Sequence, residues 1–547
     1  MAKRLANVKT RRETGLDYVA SAMNLLTPFG KKQIKEQKPF FPGEEEALRE
    51  ELERIRKMLK TARLHPKDIE VLQELFMVMK DNTFTIERSE NAVLSVVEIF
   101  ELKSLLLQME KLRKLSESLD FPKEFELEDI SEILNVLDPG KERLNTFYIY
   151  DVFSERLTEL RKEKKETERR LRRKQKAAKE RVRERYGISL TPKFDITVSK
   201  SDRQSIEMID KISELVRSEE DYMSITFSLA PTEETDSCIR KRDELTSLIE
   251  DEELDVRERL SNQISKYKDA LLSNCGKIGR LDITLSKALY ADRHNCVMPE
   301  IVSEHVVEFE DGRHLQVETI LKEKNKEYCP VSISLKDGVT CITGANMGGK
   351  TISLKLTGMI SVLAQYGYFV PCRKAKVGLS NYMQILIGDS QSIERGLSSF
   401  GSEMEELKEI LDHGTDRSLI LIDEIASGTN PAEGLALTKS LVDYLKTRPY
   451  ISLMTTHFET VTADSDVKNM QVTGLANADF DKLDRELRYA SRKERINIIQ
   501  RYMDYRLTHV ESSGEIPKDA LNIAKMLGID KDIIEKAKEY MRKGEKG

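Results

Sequence analysis

The segment Gly344-Ala345-Asn346-Met347-Gly348-Gly349-Lys350-Thr351 has the spacing G-x-x-x-x-G-K-[ST]. Glycines so placed let backbone N–H groups approach a polyphosphate closely; the lysine adds a point charge and the threonine hydroxyl can reach Mg²⁺. The chemistry this predicts is nucleotide binding by Gly344, Asn346, Met347, Gly348, Gly349, Lys350 and Thr351, with Thr351 also at the metal. An ordinary glycine turn is the competing reading. Against it, an apolar run at 339–343 precedes the segment and a helical run at 353–364 follows, the strand–loop–helix context the pattern requires. Further along, Ser418-Leu-Ile-Leu-Ile-Asp423-Glu424 reads as a buried strand ending in two acids. Asp423 can hold Mg²⁺ through its water shell, and Glu424 can orient or deprotonate an attacking water. His457 follows another apolar run, at 451–456. Alone it reads as a structural histidine; downstream of the first two motifs it can sense a terminal phosphate.

These residues need a sheet to carry them. After about residue 299 the chain alternates short β-branched runs (306–309, 331–334, 339–343, 384–387, 419–422, 451–455) with helical stretches, the grammar of an α/β domain with a largely parallel sheet. Before that point the pattern is helical. In 44–65, Leu48, Leu52, Ile55 and Leu59 recur at steps of three and four with charges between them, and the pattern returns at 92–119. The fold class expected is therefore mixed α and α/β, a long helical region followed by a C-terminal nucleotide-binding domain.

Between about 153 and 186 the apolar periodicity nearly vanishes, and in 161–177 the only large apolar residue is Leu171. Three readings stay open for this basic helix: a solvated protrusion, a contact to nucleic-acid phosphates through Arg169, Arg170, Arg172 and Arg173, or an arm for a protein partner. Gly187 ends it, and 194–229 mixes strand-like and helical runs as a small tip would.

Composition narrows the classes. The chain has 547 residues, with 39% hydrophobic and 34% charged residues, 6% aromatic, no Trp, 14 Pro and 26 Gly. Enough apolar residues remain for packed cores, so wholesale disorder is excluded, and few turn formers argue against a β-sandwich or barrel. The net charge of −6 is the difference of 95 acids and 89 bases, so it hides local segregation. Six cysteines at 238, 275, 296, 329, 341 and 372 form no C-x-x-C pair, and no stretch approaches about 18 uninterrupted apolar residues. Reduced thiols, a cytoplasmic location and no membrane partner are expected.

The motifs together resemble the ABC-type ATPase domain of the MutS family of DNA mismatch repair proteins. Asn346-Met-Gly-Gly-Lys350 matches its phosphate loop, with Ala345 where proline is usual. Ser398-Ser399-Phe400-Gly401-Ser-Glu403-Met404 is similar to its Ser-Thr-Phe-x-x-Glu-Met segment, and Asp423-Glu424-Ile425 with Gly428-Thr429-Asn430 resembles its acid strand and following loop. Thr455-Thr456-His457-Phe458 resembles its Thr-His switch. Upstream, Thr27-Pro28-Phe29-Gly30 looks like the start of the family's helical lever, and the basic helix with its tip looks like its clamp.

The resemblance implies a domain plan: lever at 1–150 and 261–325, clamp-like insertion at 151–260, ATPase domain at 326–515 and a helical dimerisation segment at 516–547. It implies ATP and Mg²⁺ as ligands. It also implies a homodimer, or a heterodimer with a related subunit, in which Ser399 and Gly401 of one chain complete the site held by Lys350 of the other. Classical members begin with a mismatch-reading domain, and a second bacterial class usually carries a C-terminal nuclease. Neither has room here, so a core-only member is expected. Two functions of different class follow. The first is an ATP-gated clamp that grips DNA by phosphate and shape without base readout. The alternative is an ATPase subunit that reactivates adenosylcobalamin-dependent lysine 5,6-aminomutase. Transporter motors are disfavoured by the missing Leu-Ser-Gly-Gly-Gln signature, and SMC-type ATPases by the contiguity of the motifs.

Overall fold

A computed structural model of the protein describes residues 4–119, 121–344, 349–388, 399–426, 428–462, 467–475, 478–488, 495, 498–499, 502–510 and 519–544. The chain divides into two compact units, one of residues 1–77, 119–125 and 278–547, the other of residues 78–118 and 126–277.

The second unit is dominated by two long helices, Glu155–Tyr186 and Glu233–Lys266. Ser154 caps the first by accepting from Leu157 N, and Gly187, at φ +73°, ends it in a left-handed turn that favours glycine. A Thr232–Thr235 capping box opens the second. Their buried residues, Leu157, Thr167, Leu171 and Val182 against Cys238, Leu245, Ile249, Val256, Leu260 and Ile264, recur mostly near three- and four-residue multiples, the seam of a two-helix coiled coil. Leu171, isolated in its sequence, is thus a seam residue. Ion pairs flank the seam, Arg161 with Glu253 at 2.8 Å, Lys241 with Glu163 at 3.4 Å, and Lys174 with Glu234.

At the end of this hairpin, strands β1 (Asp195–Ser199), β2 (Leu215–Glu220) and β3 (Ser224–Leu229) form an antiparallel sheet in the order β1-β3-β2. Helix Arg203–Ile209 packs with it around Val182, Ile188, Ile206, Ile209, Ile225 and Phe227.

The first unit holds two sheets. Strands β4 (Glu300–Val302), β5 (Val306–Gly312), β6 (Val331–Lys336) and β8 (Lys374–Gly378) form a mixed sheet in the order β4-β8-β5-β6. The larger sheet contains β7 (Gly338–Thr343), β9 (Tyr382–Leu386), β10 (Ser418–Asp423), β11 (Tyr450–Thr455), β12 (Lys468–Gly474) and β13 (Asp504–His509), ordered β13-β12-β7-β11-β10-β9. All its pairings are parallel except β12 with β13. β10 and β11 are almost wholly buried, as parallel strands covered on both faces must be, which explains their unbroken apolar sequences.

The edge of that sheet at β9 is closed by residues 5–10. Met383 N donates to Leu5 O at 2.7 Å, and Ile385 N to Thr10 Oγ1 at 3.2 Å. Lys9 pairs with Glu406, in helix Ser399–His413, at 2.6 Å, and Glu13 with Lys355, in helix Lys350–Gln365, at 2.7 Å. All six cysteines are free thiols, and among the described residues no helix is long and apolar enough to cross a membrane.

Candidate functional site

Three parallel neighbours, β7, β11 and β10, bring their C-terminal ends side by side. Past β7 comes Gly344, then Gly349 at φ +78°, the residue before helix Lys350–Gln365. Asn346, Met347 and Gly348 lie outside the described residues. A helix start leaves backbone N–H groups unpaired and carries the positive end of the helix dipole, so this point favours an anion.

Lys350, Glu424 and His457 meet there. Lys350 is buried, and its Nζ lies 3.0 Å from Glu424 Oε1 and 3.3 Å from His457 Nδ1. His457 Nε2 is 2.8 Å from the same Glu424 oxygen. The ammonium is donor only, so Nδ1 must accept and the imidazole proton sits on Nε2, facing Glu424. Burial raises the Glu424 pKa, but hydrogen bonds and charge from Lys350, then from His457, outweigh it and hold the carboxyl below the usual range. Beside this cluster Thr351 Oγ1 donates to Asp423 Oδ2 at 2.7 Å, and Thr455 Oγ1 donates to Asp423 Oδ1 at 2.6 Å.

The turn after β10 is held in a rarely populated conformation. Glu424 sits at φ +46° and Ala426 at φ +61°, each disfavoured for a residue with a side chain and frequent at functional sites. Glu424 N is fixed by Thr455, donating to its Oγ1 at 3.0 Å. Ala426 N donates to Glu403 Oε2 at 3.1 Å. Glu403 is buried, and burial pushes its carboxyl pKa up despite that hydrogen bond.

Thr455 and Glu403 therefore position the site, although the sequence reading gave neither a role. The signals were present: Thr455 stands beside His457 in its motif, and Glu403 lies in the Ser398–Met404 motif. Gly401 lies in the first turn of helix Ser399–His413. Ser399 begins that helix, and its side chain is outside the described residues. Arg169, Arg170, Arg172 and Arg173 belong to the other unit; all four are exposed on helix Glu155–Tyr186.

Among the described residues no three His, Cys, Asp or Glu side chains gather as a metal-binding set. The Thr351 hydroxyl and the Asp423 carboxylate offer two hard oxygen donors. That fits Mg²⁺, which takes its remaining ligands from water and phosphate, better than Zn²⁺, which wants a closed N/S cage.

Residues 340–545 match the family model of MutS domain V. This part of the chain is similar to the MutS family. The MutS match begins inside β7 and takes in Lys350, Thr351, Asp423, Glu424 and His457. Among curated MutS relatives, Endonuclease MutS2 of Fusobacterium nucleatum subsp. nucleatum is 33% identical over 291 residues, 53% of this chain and 34% of the relative. Endonuclease MutS2 of Acetivibrio thermocellus is 33% identical over 285 residues, 52% of this chain and 32% of the relative. Endonuclease MutS2 of Clostridium botulinum strain Langeland is 34% identical over 226 residues, 41% of this chain and 27% of the relative. The chain thus spans about a third or less of the length of these MutS2 relatives.

Proposed function

We propose that the chain is a MutS-type ATPase that binds ATP at the loop after β7, hydrolyses it, and uses the cycle to close an arm on DNA. The observation that carries this reading is the meeting of Lys350, Glu424 and His457 beside the Thr351–Asp423 pair at the start of one helix. The N–H groups at the helix start and Lys350 bind the phosphates. Thr351 and Asp423 would hold Mg²⁺, which would supply charge neutralisation at the phosphate oxygens. Glu424 takes a proton from water as its oxygen bonds to the terminal phosphorus and the bond to the bridging oxygen breaks, giving ADP and phosphate. His457, with its proton on Nε2, donates toward the terminal phosphate. Ser399 and Gly401 of an opposing identical or related subunit complete the site, and the helices at 516–547 support that pairing. The lever (1–150, 261–325), clamp (151–260) and ATPase (326–515) plan carries closure from one part to the other.

The relatives' name, endonuclease, supports nucleic acid as the ligand. Charge limits how the arm meets it. Helix Glu155–Tyr186 carries 15 bases against 7 acids, a net of +8. The tip at 187–232 has 5 against 8, a net of −3, and helix Glu233–Lys266 has 6 against 11, a net of −5. The arm as a whole is neutral. Phosphate contact is therefore assigned to the exposed Arg169, Arg170, Arg172 and Arg173 and not to the arm at large, consistent with recognition by structure and without base readout. An acidic tip favours a protein ligand as the second reading. The specific aminomutase alternative draws on no residue of the described structure.

The deciding experiment uses Glu424→Gln, expected to bind ATP and hydrolyse it slowly, as a trap. Wild-type turnover by this variant removes Glu424 from the base role. Retention of branched or duplex DNA by the ATP-loaded trap supports the clamp, whereas retention of a protein and no DNA transfers the arm to the second reading.

A further inference from the structure

Helix Val8–Glu13, in the strap that closes the β9 edge, is fixed at both ends. Asn7 Oδ1 accepts from Thr10 N at 2.8 Å, and Thr14 Oγ1 donates back to Thr10 O at 2.7 Å. Lys9 and Glu13, four residues apart, share one face of this helix, where a lysine and a glutamate can pair with each other. Here each takes a partner from a different helix of the proposed site.

Lys9 Nζ lies 2.6 and 2.7 Å from the two carboxylate oxygens of Glu406, in helix Ser399–His413, and 3.4 Å from Ile387 O, just past β9. Glu406 stands one turn beyond Glu403, whose Oε2 accepts from Ala426 N and so holds the turn that carries Glu424. Glu13 Oε2 lies 2.7 Å from Lys355 Nζ, on the second turn of helix Lys350–Gln365, the helix that opens with Lys350 and Thr351. The packing behind these pairs is tight. A Cβ on Gly358 would stand 2.5 Å from Thr14 Cγ2 and 2.9 Å from Leu421 Cδ1, so the strap, the phosphate-loop helix and the acid strand β10 meet without room for a methyl group.

Stability alone is a weak reason for such pairs. The four charged side chains keep 19–27% of their surface exposed, and ion pairs so placed add little to it. Position is a stronger one, because a shift of about 1 Å in a group that orients a reactant costs on the order of 10²-fold in rate.

We propose that Lys9 and Glu13 are positioning residues, the two arms of a brace that sets helix Ser399–His413 against helix Lys350–Gln365 and thereby fixes Glu424 relative to the phosphate-binding start at Lys350. Its effect on turnover rests on the ATPase reading given above. The arms have separable effects. The Lys9 arm acts through Glu403 on the turn of Glu424, and so on hydrolysis. The Glu13 arm acts on the helix whose start receives the phosphates, and so on binding.

Steady-state ATP hydrolysis, equilibrium binding of a fluorescent ATP analogue, thermal melts and amide hydrogen exchange, all on the full-length chain, test the brace. Lys9→Met is expected to lower kcat about tenfold to a hundredfold while leaving the ATP Kd within about threefold and Tm within about 2 °C. Glu13→Gln should instead weaken ATP binding about threefold to tenfold, with a smaller loss of kcat. Lys9→Glu combined with Glu406→Lys, which restores the pair with its signs reversed, should recover most of the kcat. Should Lys9→Met fail to fold, Glu406→Gln cuts the same arm from its other end. In nucleotide-free protein, Lys9→Met should speed exchange of the amides at 424–426. Wild-type kcat and Kd in both single variants, or no recovery in the reversed pair, overturns the proposal. A wild type that neither binds nor hydrolyses ATP sinks the ATPase reading; the exchange measurement, which needs no nucleotide, then decides the brace, and unchanged exchange at 424–426 overturns it.

Discussion

Lys350 Nζ lies 3.0 Å from Glu424 Oε1, so the cation proposed to meet an incoming phosphate is already held by the carboxylate proposed to act in hydrolysis. Phosphate binding must exchange one partner for the other, and the exchange releases Glu424 toward water. Glu424→Gln is therefore expected to bind ATP about threefold to tenfold more tightly than wild type and to hydrolyse it about 10²–10⁴-fold more slowly. Lys350→Ala should lose affinity. Equilibrium binding of a fluorescent ATP analogue and single-turnover phosphate release measure the two effects; a weaker Glu424→Gln complex would contradict the exchange.

Metal dependence should follow the two oxygens on either side of the Thr351–Asp423 hydrogen bond. Thr351→Ala and Asp423→Asn are each expected to raise the Mg²⁺ concentration for half-maximal turnover by roughly tenfold or more, and chelation should stop turnover in wild type. Thr455→Val, which removes the 2.6 Å donor to Asp423, should shift the Mg²⁺ requirement in the same direction by less. An unchanged Mg²⁺ titration in Asp423→Asn would place the metal elsewhere.

Glu403 gives a pH signature. Burial raises its folded-state pKa, so its contribution to stability is complete below the unfolded pKa and is lost as pH rises through the folded one. Above that folded pKa the carboxylate is charged at a cost. Glu403→Gln keeps an oxygen for Ala426 N and removes the charge. It should raise Tm at pH 7.5 by roughly 2–4 °C, with the gain shrinking at pH 5. Thermal melts at the two pH values decide it; a gain that grows on acidification has the wrong sign.

Asp282 anchors the Thr27-Pro28-Phe29-Gly30 segment. Its Oδ2 accepts from Thr27 N and Thr27 Oγ1, both at 2.8 Å, and from Leu26 N at 3.1 Å. Asp282→Ala leaves those donors unmet and should cost about 2–4 kcal/mol in denaturant unfolding. Gly30→Ala should also destabilise, because a Cβ there would stand 2.5 Å from Asp282 Oδ2. Loss of less than about 0.5 kcal/mol in Asp282→Ala would mean water replaces the carboxylate.

Neutralising Arg169, Arg170, Arg172 and Arg173 together should flatten the dependence of DNA affinity on salt. Each phosphate left without its arginine lowers the log–log slope by about 0.9, so the change is bounded near 3.6. Fluorescence anisotropy across a salt series reads it. An unaltered slope returns the helix to a merely solvated role.

The parts of the fold that were legible in the sequence are those where burial leaves a one-dimensional trace. The runs at 339–343, 419–422 and 451–455 became β7, β10 and β11 because parallel central strands are apolar on both faces. β12 and β13 were missed. Lys-Asn-Met-Gln-Val-Thr-Gly and Asp-Tyr-Arg-Leu-Thr-His alternate polar residues, as strands toward a sheet margin do. Lys350, Asp423, Glu424 and His457 stood out as candidates because they fall in recognisable patterns; Thr455 and Glu403 stand inside two of the same motifs, but what they hold, Asp423 and Ala426, is distant in sequence. The basic character read for Glu155–Tyr186 holds for that helix and not for the arm as a whole. The excess of Glu155–Tyr186 is cancelled by the tip and by a helix beginning at Glu233, so charge had to be summed over partners in space.

The closure of β9 by Leu5, Thr10 and Lys9 has a consequence for biosynthesis. The Lys9–Glu406 pair spans 397 positions, so this early-made segment finds its place only after the helix that holds Glu406 has left the ribosome. Until then residues 5–10 must wait without their partners while the arm folds ahead of them, and the sheet margin they cover stays open for that interval. Closure of the six-stranded sheet's margin is thus a late event in synthesis, with its early-made strap unpaired in the meantime.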